Sequence, residues 1–203
     1  NGYNDIAPKY YYNLRWNVVT DMKKDDDLIQ EILEFWFSKQ SRSKWFNSTP
    51  EFDEVIRQRF EKVWGQARAD SFDHWEQEPD GALALVIIFD QLPLNMFRQD
   101  ARQYSTEAHA RRIATHAIQQ GFDQDMDKLR KSFFYLPFMH SESIEDQDRS
   151  VELYEKAGLD DNLRYAKHHR DVVKRFGRFP HRNEALGRES SEEELEYLKT
   201  ANW

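Results

Sequence analysis

Eight consecutive apolar residues, Ala82-Leu83-Ala84-Leu85-Val86-Ile87-Ile88-Phe89, constrain this chain more than any other stretch. A helix built on them is apolar on every side, so protein has to surround it. The run is far shorter than the ~20 apolar residues of a membrane span. It therefore predicts a central helix of a water-soluble fold. That helix is expected to end near Pro93, because proline lacks the amide donor and its ring meets the carbonyl four residues back.

The remaining sequence supplies the surround. Leu28, Ile29, Ile32, Leu33, Trp36 and Phe37 form one apolar stripe at helical spacing. Phe52, Val55, Ile56, Phe60, Val63 and Trp64 form another, after a Ser48/Glu51 capping-box spacing with Pro50 in the first turn. Ser105 opens a fourth helix that Gly121 stops. Met126, Leu129 and Phe133 mark a fifth, expected to end before Pro137. Ile144, Gln147, Val151 and Tyr154 mark a sixth closed by Gly158. Leu163, Ala166, Val172, Val173 and Phe176 mark a seventh closed by Gly177. Ser190 and Glu193 are spaced to box the start of a last helix carrying Leu195 and Leu198. No strand alternation competes. The pattern predicts an all-α fold of seven to eight helices in antiparallel pairs, with no repeated sequence period. One all-α domain is expected over residues 28–203. Residues 1–27, with Tyr10, Tyr11, Tyr12 and Trp16 ahead of the charge run Asp21 to Asp27, read either as an N-terminal arm that packs on the domain or on a protein partner, or as a partly ordered tail.

Cysteine is absent, which excludes disulfides, thiolate catalysis, zinc-thiolate sites and iron–sulfur clusters. Neither a signal-peptide core nor a membrane span is visible, so a soluble reducing compartment such as the cytoplasm is expected. The first residue is Asn1 rather than methionine, which leaves organellar processing open. The formal charge of -8 argues against a general nucleic-acid binder. Charge is uneven, however. Arg164 to Arg188 holds eight basic and two acidic residues, a local +6 that leaves −14 for the rest. A basic island in an acidic chain fits a small anion, an acidic peptide end, or the protein's own acidic groups.

Three segments carry residues with chemistry. Asp90, Gln91, Asn95 and Arg98 follow the central helix directly. They either form a site or satisfy helix-end groups near Pro93. His140 and Glu142, one residue apart, are an acid–base candidate, because a carboxylate raises a nearby imidazole into the working range. Ser141 between them reads as a helix cap rather than a nucleophile. The third segment, Arg175-Phe176-Gly177-Arg178-Phe179-Pro180-His181-Arg182-Asn183, closes with Leu186-Gly187-Arg188. Its phenylalanines are expected to anchor the backbone. Arg175, Arg178, Arg182 and Arg188 would grip phosphate or carboxylate bidentately, with Asn183 beside them. The structural alternative is an internal salt-bridge network with Asp90, Glu142 or Glu184. No zincin pair, Walker loop, Gly-x-Gly-x-x-Gly or Gly-x-Ser-x-Gly appears, so no metal or cofactor is expected.

Phe35-Trp36-Phe37, the Asp90–Asn95 segment, Tyr135-Leu136-Pro137 with His140-Ser141-Glu142, and the Arg175–Arg188 segment occur in this order. In that order and spelling the chain resembles a mainly bacterial family catalogued as domain of unknown function 924, from about Leu28 to Leu198. The resemblance implies a tetratricopeptide-like helical fold and places the site where the three segments meet. It brings no reaction with it. Leu94 stands where the family has arginine and Leu92 where it has phenylalanine, so a charge expected at the site is missing. Three functions are compatible with these residues. One is a pocket for an anionic small molecule or acidic peptide end, with Asp90, His140, Glu142 and His181 orienting the ligand. The second is a hydrolase or transferase using His140 or His181 as base and Glu142 as orienter. The third is a scaffold working through its helical surface and the arm.

Overall fold

A computed structural model describes residues 24–201, and among them every regular element is helical. The arm expected over residues 1–27 lies outside the described residues except for 24–27, which are helical. The described residues divide into two compact units, parted between Asn47 and Ser48. Among the described residues, no helix is long and apolar enough to cross a membrane.

In the first unit, helix α1 occupies residues 24–37 and α2 spans Lys39–Arg42. Ile29, Ile32, Leu33 and Trp36 are buried, as their stripe requires. Trp45 stacks on Trp36 at 5.9 Å and donates its indole N–H to the Trp36 carbonyl.

The second unit begins with α3, Pro50–Ala67. Its cap is Thr49, one residue later than the spacing of Ser48 and Glu51 predicted, and the Thr49 hydroxyl accepts from the Phe52 amide. The shift follows from Pro50, which keeps the residue before it extended; Thr49 sits at φ −122°, ψ 155°. α4, Pro79–Val86, is buried from Gly81 to Val86, as its apolar run demands. Gly81 is needed there, because a Cβ would lie 2.4 Å from the Trp75 carbonyl oxygen.

The central helix does not stop near Pro93. It widens into a π turn over Ile87–Gln91 and continues as α5, Leu92–Met96. Pro93 deletes the amide that would bond the Phe89 carbonyl, and the Thr106 hydroxyl donates to that carbonyl instead, at 2.7 Å. Thr106 also accepts from the Trp64 indole and stands at the N-cap position of α6, Glu107–Gln119, one residue after Ser105.

Helix α7 spans Lys128–Met139 and runs through Pro137 rather than ending before it. Phe133, Phe134, Phe138 and Met139 are buried, and the Gln147 amide donates to the Phe138, Met139 and Ser141 carbonyls. Burial and this borrowed donor hold the last turn in spite of the proline. Gln147 belongs to α8, Ile144–Lys156, which Ser143 caps in place of Ser141. α9, Asp160–Phe176, ends at left-handed Gly177, and α10, Glu192–Leu198, starts with a Ser191/Glu194 capping box, one residue beyond the predicted pair. Successive helices α6, α7, α8 and α9 pack on their neighbours through short links. Each of the eight helices expected from the sequence is present, so the architecture is all-α.

Candidate functional site

The π turn puts Asp90 at the end of the most buried segment, with its side chain fully enclosed. A carboxylate there requires a partner. His140, the C-cap of α7, provides it: Nδ1 lies 3.0 Å from Oδ1 and 2.9 Å from Oδ2. The Gln91 amide donates to Oδ2 at 2.6 Å. The imidazole is 17% exposed. Its Nε2 makes no hydrogen bond among the described residues and is not sealed from solvent. Burial opposes protonation of His140, but the Asp90 charge, the hydrogen bond to it and Glu107 outweigh burial and Arg182, so the imidazole titrates above its ordinary value.

Gly177 turns the chain back after α9. The segment it releases closes over this pair. Phe179 is fully buried, and a 3₁₀ turn over Pro180–Arg182 delivers the Arg182 side chain, 7% exposed, to the same place. Its Nη1 meets the Glu107 carboxylate at 3.0 Å, and its Nη2 donates to the His140 carbonyl at 2.8 Å. The guanidinium is stacked between the Tyr104 and Phe179 rings, 4.4 and 4.7 Å from their centres. Burial lifts the Glu107 carboxyl above its ordinary range against the pull of Arg182 and His140.

Glu142 does not orient His140. Its carboxylate accepts both Arg188 Nη groups, at 2.7 and 2.9 Å, and the Phe179 amide at 2.7 Å. Burial opposes these contacts, yet they hold the Glu142 carboxyl below its usual range. Arg188 also donates to Asn183, whose amide donates to Ser190. Arg178 forks onto Glu194, and Arg175 pairs with Glu193 near the surface. All four arginines of the segment thus carry a carboxylate of the chain itself. Of the partners named from the sequence, Glu142 is used; Glu107, Glu193 and Glu194 were not foreseen.

His181 and His169 lie against Phe179, with ring centres 5.6 and 5.5 Å from it. Burial first, then Arg182, pushes His181 down to about 3. Burial pushes His169 down to about 4. His181 is therefore neutral.

The Asp90–Arg98 segment splits. Asn95 and Arg98 point to a separate cluster, where both donate to Asp53 beside Ser48. They line a cleft of ≈ 470 Å³ with Thr49 and Arg57, apart from the His140 group. Leu94 is half-buried. Ser141 is buried, and its hydroxyl donates to Asp146 at 2.7 Å and accepts from the Ser143 amide. Among the described residues, no three histidine or acidic side chains stand as a metal-binding group.

The model of a family described as bacterial protein of unknown function (DUF924) matches residues 32–202. The chain is also similar to a protein of unknown function from Agrobacterium tumefaciens of known structure. The two are 40% identical over 87% of this chain and 99% of that one, with a TM-score of 0.81. No curated protein matches.

Proposed function

The chain belongs to that family of bacterial proteins of unknown function, and on that premise we propose that it houses an acid–base site of hydrolase or transferase type centred on His140. One observation carries the reading: a fully enclosed carboxylate, Asp90, holds Nδ1 of a ring whose Nε2 is left unengaged. A buried carboxylate on one ring nitrogen sets the tautomer and aims the other nitrogen at a substrate. Asp90 thereby takes the orienting role that the sequence assigned to Glu142, and His181 drops out because burial leaves its ring, at about 3, too weakly basic to take a proton, and because it is packed on Phe179. The competing idea, a pocket gripped by arginines, loses support because Arg175, Arg178, Arg182 and Arg188 are each matched internally. Asn95 and Arg98 belong to the Asp53 cleft and have no part in this reading.

Carbethoxylation of the folded protein by diethyl pyrocarbonate, mapped by mass spectrometry, tests access: His140 reacts and His181 is protected. Turnover of chromogenic carboxylic and phosphoric esters tests chemistry. His140→Gln is expected to slow any active substrate by roughly 10²–10⁴-fold, the usual worth of a positioned proton carrier. A folded protein whose His140 resists the reagent even at a pH high enough to leave the ring neutral, or an ester turned over equally by His140→Gln, refutes the reading.

A further inference from the structure

This inference rests on the acid–base reading and concerns the charge that the site presents. Buried charges have to be matched within the structure. Around His140, Glu142 is matched by Arg188 and Glu194 by Arg178. What is left is Asp90 from the π turn, Glu107 from the first turn of α6, and Arg182 from the 3₁₀ turn. A neutral Glu107 would strand the Arg182 guanidinium, which is 7% exposed and cannot give up its proton, so these two form an ion pair. Asp90 then needs a cation. Three imidazoles are near. His169 and His181 are packed on Phe179 and neutral, whereas His140 has the carboxylate on its Nδ1.

We propose that His140 stands as the imidazolium at neutral pH, and that the site takes an anionic oxygen, a carboxylate or phosphate, on its Nε2–H. Nδ1–H is spent on Asp90, so Nε2–H is the charged donor left without a partner among the described residues. The raised titration of His140 agrees. In the acid–base reading this makes His140 the proton donor in the first step rather than the base.

Nitrogen NMR of histidine-labelled, intact protein tests this, with inorganic phosphate and acetate as probes. Both ring nitrogens of His140 are expected to be protonated at neutral pH, with a midpoint above about 6.5. Glu107→Gln lowers that midpoint and Arg182→Met raises it, because the first removes an anion and the second a cation. Phosphate or acetate shifts the His140 signals and raises the midpoint further; a response to one probe alone identifies the anion class. A single neutral tautomer at neutral pH overturns the charged state. A charged ring that ignores both probes overturns the ligand class. The wild-type titration decides even where a variant fails to fold. A reachable but neutral His140 defeats this inference and leaves the acid–base reading standing, whereas an unreachable one defeats that reading.

Discussion

Arg182→Met asks the most of the structure. The variant keeps an unbranched stem between Tyr104 and Phe179 but removes the guanidinium from Glu107 and from the His140 carbonyl. With Arg182 at 7% and Glu107 at 12% side-chain exposure, the carboxylate would be left buried without its counter-charge. Removing one partner of such a pair costs about 3–5 kcal/mol. That range already contains the stranded carbonyl, worth ~1–3 kcal/mol when unmatched. For a chain of this size the loss corresponds to a fall in Tm of roughly 6–20 °C. Urea unfolding followed by far-ultraviolet circular dichroism measures it. Glu107→Gln alone should also destabilise strongly, since it strands the cation. Arg182→Met/Glu107→Gln should lose less than the two losses combined, by about 1–3 kcal/mol, because neither charge is then unmatched. A single-variant loss below about 1 kcal/mol, or strict additivity in the double variant, refutes a buried pair at this position and with it the charge matching around His140.

Three further outcomes follow from named contacts. Thr106→Val removes the donor to the Phe89 carbonyl and the acceptor for the Trp64 indole, with a loss of about 1–3 kcal/mol in urea unfolding; a neutral result means that the π turn does not depend on this hydroxyl. His169 and His181 titrate at about 4 and about 3 in the fold. The unfolded chain, with histidines near 6.5, therefore binds protons that the fold refuses, and stability falls as pH drops below about 6.5 by at most ~1.4 kcal/mol per unit for each histidine. Urea midpoints at a series of pH values check this, and a midpoint flat down to the fold's own values contradicts it. His140 has the opposite sign: its contribution is complete below the unfolded value and is lost as pH rises through the higher folded one. Gly177→Ala costs about 1 kcal/mol from its φ of 70° alone, since no atom lies within 4 Å of the added Cβ. Gly81→Ala costs more, because the added Cβ meets the Trp75 carbonyl oxygen, and thermal unfolding should rank the two in that order.

Periodicity alone determined the helices. The stripes Leu28–Phe37, Phe52–Trp64 and Ala82–Phe89 and the stops at Gly121, Gly158 and Gly177 describe elements that depend on near neighbours in the chain. Caps were legible to within a residue or two, since Ser48, Ser105, Ser141 and Ser190 stand close to the true N-cap positions, and only the local geometry, such as Pro50 extending Thr49, picks the residue. What failed at Pro93 and Pro137 was decided by distant groups. A hydroxyl from the N-cap of α6 and an amide from α8 supply hydrogen bonds that a local reading has no means to see. The site divides in the same way. Its residue types, Asp90, His140, Glu142 and the arginines, were visible, because their density is unusual for a loop. Their pairing was not. Asp90 meets His140 across fifty positions and Glu107 meets Arg182 across seventy-five, while Glu107 in the sequence looks like an ordinary acid in a first helical turn. Matching of buried charge is a property of three-dimensional neighbourhood, so only the tertiary structure could show that the arginines are held by the chain's own carboxylates and that the histidine is what remains.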